Sequence, residues 1–262
     1  MYLWLLELRV GLFCDRIRVM KISIVIPTKN EERYLPLLLK SMQDQTYHDK
    51  EVIVADAYSS DKTREIAQSF GAKVVDGGMP GPGRNLGANV ATGELLVFFD
   101  ADILLPNPTF LSDCLREFEE RILDIATCRV KAMGKNPLDH VMHEAYNIYS
   151  VATEQIRPHA PGFCIFARRS AHEAIQGFDE EVLFAEDHDY VQRAQKAGMR
   201  FGILRCQKIL VSMRRYEKDG RIKTGVKYVF AEGRMIAKGS FKKKMPFTYE
   251  FGAFKKNSDR QD

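Results

Sequence analysis

Along the chain, short apolar runs alternate with longer stretches whose apolar residues recur every three or four positions. The short runs, rich in Val and Ile, read as strands: Lys21 to Pro27, Glu51 to Ala55, Val74-Val75, Leu95 to Phe99, Ile125 to Val130, Phe163 to Ala167, Phe201 to Leu204 and Ile209 to Val211. The periodic stretches read as helices. Leu35, Leu37, Leu38, Leu39 and Met42 mark the first, with Asn30 as its expected N-cap. Others are predicted over Lys62 to Phe70, closed by Gly71, and over Arg84 to Ala91, Asn107 to Arg121, Leu138 to Thr153, Ser170 to Ile175 and Glu186 to Lys196. Arg221 to Lys238 sets Ile222, Val226, Val229, Phe230 and Ile236 roughly on one face. Gly77 to Gly83 reads as a glycine-rich loop. Strand and helix alternate in the manner of parallel βαβ units, so the fold class is α/β with a mostly parallel sheet flanked by helices.

One strand ends unlike the others. Leu95-Leu96-Val97-Phe98-Phe99 is apolar throughout, as a strand buried on both faces must be, and runs straight into Asp100-Ala101-Asp102. In an open α/β sheet, the carboxyl ends of the strands are where ligands bind. Two acids this close repel unless a cation or donor compensates them, and a hard divalent metal with substrate phosphates would do so. A turn in which either acid caps the next helix would use the same residues, and the pair alone does not separate the two.

Charge sharpens the picture. The net charge is only +4, yet Arg205 to Asp262 holds 16 Lys and Arg against 6 Asp and Glu, which leaves the rest of the chain acidic. A basic tail on an acidic body suits phosphate-rich ligands or an anionic membrane surface, or is simply a solvated tail. The five cysteines, Cys14, Cys114, Cys128, Cys164 and Cys206, show no CxxC spacing, which argues against a disulfide frame or a zinc site and fits a reducing compartment. Met1 to Val19 is apolar in patches broken by Glu7, Arg9, Asp15 and Arg16, too interrupted for a membrane span. It reads as an N-terminal extension, with Met20 the expected natural start; an intact Met1 in the mass of the native protein would refute that.

Four segments in order resemble the family 2 glycosyltransferases, nucleotide-sugar enzymes of the GT-A fold. Ser23 to Glu32 is similar to the family's opening strand and Pro-x-x-Asn-Glu turn, and Asp56-Ala57-Tyr58-Ser59-Ser60-Asp61-Lys62-Thr63 to its Asp-x-x-Ser-x-Asp-x-Thr. Asp100-Ala101-Asp102 is similar to its Asp-x-Asp, and Gly177-Phe178-Asp179 followed by Glu186-Asp187 to its acceptor-side pair. Each is weak alone; four in register over Lys21 to Leu204 are specific. The resemblance implies a GT-A domain over 20–204, with a nucleotide-sugar half at 20–102 and an acceptor half at 103–204, and a basic, helical extension at 205–262.

The resemblance also implies roles. Pro27, Thr28, Asn30, Glu31, Asp56, Arg84, Asp100, Ala101 and Asp102 would bind a UDP- or GDP-sugar. Asp102 would ligate Mn²⁺ or Mg²⁺, with Asp100 on the ribose or the metal's water shell. Asp187 would be the general base, with Gly162, Phe163 and Glu186 on the acceptor side, and transfer would invert the anomeric centre. Arg214 and Arg215 lie where relatives close over the diphosphate. Each has an ordinary counterpart: Glu31 as a first-turn helix acid, Asp61 as an N-cap, Arg84 and both later arginines as surface residues, the acids of 186–189 as helix N-terminal acids, and His188, otherwise a candidate metal ligand, as a lone structural histidine.

The chain lacks the Gln-x-x-Arg-Trp of processive relatives, Trp4 being its one tryptophan, so one sugar per encounter is expected. The acceptor is an unassigned hydroxyl compound, a lipid-linked one being an option, with no role for nucleic acid. The expected setting is cytoplasmic, with the basic segment able to touch the inner face of a membrane. The competing readings are a sugar nucleotidyltransferase, disfavoured because Pro27-Thr28-Lys29-Asn30 stands where its glycine-rich basic loop belongs, and a non-catalytic sugar-nucleotide binder.

Overall fold

The structure is a computed structural model and describes residues 20–238 and 240–242. The expected extension at 1–19, with Trp4 and Cys14, and Lys243 and Lys244 lie outside the described residues. One eight-stranded sheet is built from β1 (Ile22–Thr28), β2 (Lys50–Asp56), β3 (Lys73–Asp76), β4 (Leu95–Phe99), β5 (Ile103–Leu104), β6 (Ile125–Ala132), β7 (Cys164–Arg168) and β8 (Phe201–Val211), in the order β3-β2-β1-β4-β7-β6-β8-β5. The first four pair in parallel. β7 then runs antiparallel to both β4 and β6, β8 is parallel to β6, and β5 is antiparallel to β8. The sheet is therefore mixed, with its parallel half first in the chain.

The helices are α1 (Leu35–Gln43), α2 (Thr63–Ser69), α3 (Pro80–Val90), α4 (Phe110–Glu120), α5 (Pro137–Thr153), α6 (Arg169–Ala174), α7 (Glu186–Lys196), α8 (Arg214–Asp219) and α9 (Arg221–Lys238). β4 shows why its run is apolar throughout. Leu95, Val97 and Phe99 enter the core on one face of the sheet, while Leu96 and Phe98 enter the core on the other. Gly87 lets α3 lie against β1, since a Cβ there would come within 2.3 Å of Val25 Cγ1.

Most predicted elements occur, with ends shifted by up to three residues. Three expectations need correction. Asn30 does not cap α1: it sits in the left-handed region at φ 54° and accepts from the Ser60 backbone N–H at 2.9 Å, while Pro36 starts the helix at Leu35. The second half of the glycine-rich loop is helical, because Pro80 fits the first helical position and Pro82 follows within the first turn. The two late strands are one strand, β8, whose polar middle is absorbed by a register shift opposite Cys128 and Arg129.

The cysteines are not scattered in space. Sγ atoms of Cys206, Cys114, Cys128 and Cys164 form a chain with steps of 3.9, 3.8 and 3.5 Å, three of the four thiols being buried. No helix among the described residues is long and apolar enough to cross a membrane.

Candidate functional site

The strand order reverses between β1 and β4, with β2 and β3 on the far side of β1. The crevice at the carboxyl ends of β1 and β4 is thus a topological switch point. Thr28, Asp56, Asp100 and Asp102 lie on this edge. Asp56 is fully buried and saturated: one oxygen accepts from the hydroxyls of Thr28 and Ser59, the other from the Ser59 N–H at 2.9 Å and Arg64 at 3.3 Å. It shapes the turn after β2. Asp61 accepts from the Thr63 N–H at 3.0 Å, one position ahead of the assigned cap, and its other oxygen from the Glu32 N–H.

Two arginines organise the remaining acids. Arg84, at the first turns of α3, is buried to 2% exposure; Nη2 meets Asp100 Oδ1 at 2.8 Å and Nη1 meets Glu186 Oε1 at 2.6 Å. It is a buried bridge between an acid after β4 and an acid on α7, not a surface residue. Arg214, at the start of α8, forks onto both oxygens of Glu31 at 2.7 and 2.8 Å and reaches Asp102 Oδ2 through Nε at 2.8 Å. Arg215 donates to the Tyr228 hydroxyl on α9. Burial pushes the pKa of Glu31 and of Asp102 up despite Arg214, so these two carboxylates are under-compensated by the protein alone. Asp102, with Asp100 beside it at the open edge, offers oxygen ligands alone, which fits a hard divalent cation.

Asp187 lies in the first turn of α7. Its Oδ2 accepts from the Gly162 N–H, and Oδ1 from the backbone N–H of His188 at 2.8 Å and its ring Nδ1 at 2.9 Å. Burial works to raise its pKa, but His188 and Arg84 together hold it below the usual value. Glu186 shifts the other way, raised by burial although Arg84 opposes. The Phe163 carbonyl accepts from the Asp100 N–H at 3.4 Å, so the loop before β7 touches the end of β4 directly. Gly162 must be a glycine, since a Cβ would fall 2.5 Å from the guanidinium of Arg84.

Behind Asp187 lies a group that the sequence did not reveal. His159, His188 and Glu232 bring one ligand atom each to within 4.8 Å of one another, an arrangement able to hold a divalent metal ion. His188 is therefore not a lone histidine. His159 comes from the loop after α5 and Glu232 from α9, 73 residues apart in sequence, so no local spacing could have paired them.

The sequence model of Glycosyl transferase family 2 matches residues 23–176, more than half of the chain. The 4,4'-diaponeurosporenoate glycosyltransferase of Staphylococcus haemolyticus is 38% identical over 106 residues, covering 37% of this chain and 28% of that protein. The poly(ribitol-phosphate) beta-N-acetylglucosaminyltransferase TarS of Staphylococcus aureus is 26% identical over 197 residues, covering 71% of this chain and 34% of its own. The chain thus spans about a third of the length of these curated relatives. Among solved structures, the mannosyltransferase PcManGT of Pyrobaculum calidifontis, in complex with GDP-Man and Mn²⁺, superposes with a TM-score of 0.68 at 20% identity, over 90% of this chain and 72% of that one. TarS 1-349 of S. aureus in complex with UDP-GlcNAc gives 0.61 at 23% identity, over 74% and 58%. At these identities the likeness is one of fold.

Proposed function

The chain belongs to glycosyl transferase family 2, and from that premise we propose that it moves one sugar from a UDP- or GDP-sugar to an acceptor hydroxyl, with inversion and with help from a divalent metal ion. The observation that carries this reading is Arg84. It holds Asp100 of the donor edge and Glu186 of the acceptor helix on one guanidinium, although they are 86 positions apart. Acids of both kinds therefore share one cleft.

Asp102, with Asp100 beside it, would hold Mn²⁺ or Mg²⁺, which supplies positive charge where the departing diphosphate gains negative charge. Arg214 already sits between Glu31 and Asp102 and is placed to add to that charge. Thr28, Glu31 and Asp56 bound the crevice in which the nucleoside is expected. Asp187 is the base. Its Oδ1 already accepts two hydrogen bonds and Oδ2 accepts one from Gly162, so Oδ2 keeps a lone pair for the proton of the acceptor hydroxyl. One base with no covalent nucleophile means direct displacement and inversion.

A lipid-linked acceptor is the finer part of the proposal. Ile222, Val226, Val229 and Phe230 on α9 are all exposed, and Lys223 beside them is too. An apolar face with basic neighbours suits the surface of an anionic membrane.

A panel of nucleotide sugars with Mn²⁺ or Mg²⁺, read by released nucleoside diphosphate and product mass, tests the whole. Transfer should fall on the order of 10²- to 10⁴-fold in Asp187→Asn with donor binding kept. Equal loss of both would contradict a base at this position, and pyrophosphate exchange in place of transfer would point to a nucleotidyltransferase.

A further inference from the structure

We propose that His159, His188 and Glu232 form a second metal centre, suited to Zn²⁺ and its neighbours and sharing no residue with the Asp100–Asp102 pair, which clamps α9 to the acceptor loop behind Asp187. Three separate elements supply the ligands: the loop before β7, the first turn of α7 and the middle of α9. The two imidazole rings stand nearly perpendicular, at 86° with centroids 5.3 Å apart. They meet edge to face and are not stacked.

The surroundings are those of a metal site more than of a plain hydrogen-bonded cluster. Asp187 Oδ1 lies 2.9 Å from Nδ1 of His188, which fixes the tautomer and leaves Nε2 for an ion; this is the carboxylate–histidine–metal arrangement. Glu232 is in turn approached by Arg157 at 3.2 Å. His159 is 1% exposed, yet only one of its ring nitrogens is engaged, at 2.7 Å from Glu232 Oε1 and 3.5 Å from the Tyr149 hydroxyl, and Nδ1 has no partner. Nε2 is thus the atom that faces Glu232, and an ion taken up there would replace the proton it shares with Glu232 Oε1.

The donor set selects the ion. Two imidazoles and one carboxylate match three-ligand zinc sites that keep a fourth position open. Mg²⁺ and Ca²⁺ prefer all-oxygen shells, which the Asp100–Asp102 edge offers and this group does not. An ion here would tie Glu232, and α9 with it, to the loop whose Gly162 N–H holds Asp187, and to the residue that follows Asp187. The centre therefore positions the base without touching the donor.

The test uses the full chain, stripped with a chelator and dialysed against Zn²⁺ without nucleotide. One Zn²⁺ per chain should be retained by elemental analysis. Glu232→Gln and His159→Gln should each weaken retention at least about tenfold, and Asp102→Ala should leave it unchanged. Replacing Zn²⁺ by Co²⁺ in the unmutated chain should give the visible absorption of a four-coordinate ion, a readout that needs no variant to fold. No retained ion, no such absorption, or retention indifferent to both Glu232→Gln and His159→Gln would overturn the proposal. Loss of metal-dependent donor binding in Asp102→Ala alone speaks only to the donor edge, so the two readings fail separately.

Discussion

The half from β1 to β4, proposed to serve the donor, and the half from β5 onward, proposed to serve the acceptor, are built on different principles. From β1 to β3 each parallel strand is followed by its own helix, and the turns close on their neighbours: Asp56 with Thr28 and Ser59, Asn30 with Ser60, Asp61 with Thr63 and Glu32. From β5 onward the strands change direction, and polar contacts reach far along the chain. Arg84 meets Glu186 across 102 positions, Arg214 meets Glu31 across 183, and His159 meets Glu232 across 73. The first half organises its own edge; the second is fastened to that edge by arginines. Catalysis between two substrates needs such fastening, because a donor held well and an acceptor base held loosely would rarely align.

The largest effect should come from cutting the main fastening. Arg84→Met leaves Asp100 and Glu186 facing each other with no cation between them, in a place where Arg84 itself is 2% exposed. Removing one partner of a buried ion pair costs about 3–5 kcal/mol. Urea unfolding should show that loss, and sugar transfer should fall with it. A loss under about 1 kcal/mol, within the range of an exposed pair, would mean that the halves are held together in some other way.

Acid should act on the acceptor half next. His172, on α6, is packed against Phe98, Phe178 and Tyr190, with Nδ1 3.0 Å from the Tyr190 hydroxyl. Burial, with Arg169 and Arg193 nearby, pushes its pKa down to about 4 from an ordinary 6.5. The folded chain therefore keeps the ring neutral while the unfolded chain takes up a proton below 6.5. The stability this contributes is complete above 6.5 and is lost as pH falls toward 4, by up to about 3 kcal/mol. Unfolding free energies between pH 7 and 4 should show the slope, and His172→Asn should flatten it.

Which parts could be read from the chain follows from the same division. The opening turn, the end of β2 and Asp100-Ala101-Asp102 are local patterns, and so is the Glu186-Asp187 pair at a helix start; all stand at the carboxyl edge or in the helix facing it. The direction of β7 was not legible, because a short apolar strand carries no mark of which neighbour it will join. Nor was the continuity of β8, whose Arg205-Cys206-Gln207-Lys208 middle looks like a loop until the register shift against β6 is seen. Arg84 could be placed with the donor residues, but its partners Asp100 and Glu186 could not be read, because they lie in other elements. His159 and Glu232 carried no signal at all, and only the path of α9 brings them to His188.

Arg214 gives a smaller and more local version of the Arg84 experiment. Arg214→Gln removes the fork on Glu31, which is 3% exposed, and the contact with Asp102. Water reaches this place more easily than Arg84, since the Arg214 side chain is 16% exposed. A cost of about 2 kcal/mol is expected, below that of a fully buried pair. Donor binding, followed by titration calorimetry with UDP and GDP, should weaken as well if this arginine helps to neutralise the diphosphate.

The smallest effect belongs to the donor half and asks whether its turns are as self-sufficient as they look. Glu51, near the start of β2, accepts from the Ser23 hydroxyl of β1 at 2.6 Å and from the Thr92 N–H and hydroxyl at 2.6 and 2.7 Å, just ahead of β4. Partial burial works against the charge, but these donors bring its pKa down to about 2 from an ordinary 4.5. The carboxylate thus stabilises the fold above 4.5, and that contribution is lost as pH falls toward 2. Because the group is only partly buried, screening reduces the effect to about 1 kcal/mol. Glu51→Gln should lower unfolding stability by that amount at pH 7, and the gap from the unmutated chain should narrow toward pH 3. If the gap instead matched that of Arg84→Met, three adjacent strands of the donor half would depend on a single carboxylate, and its edge could not be called self-organising.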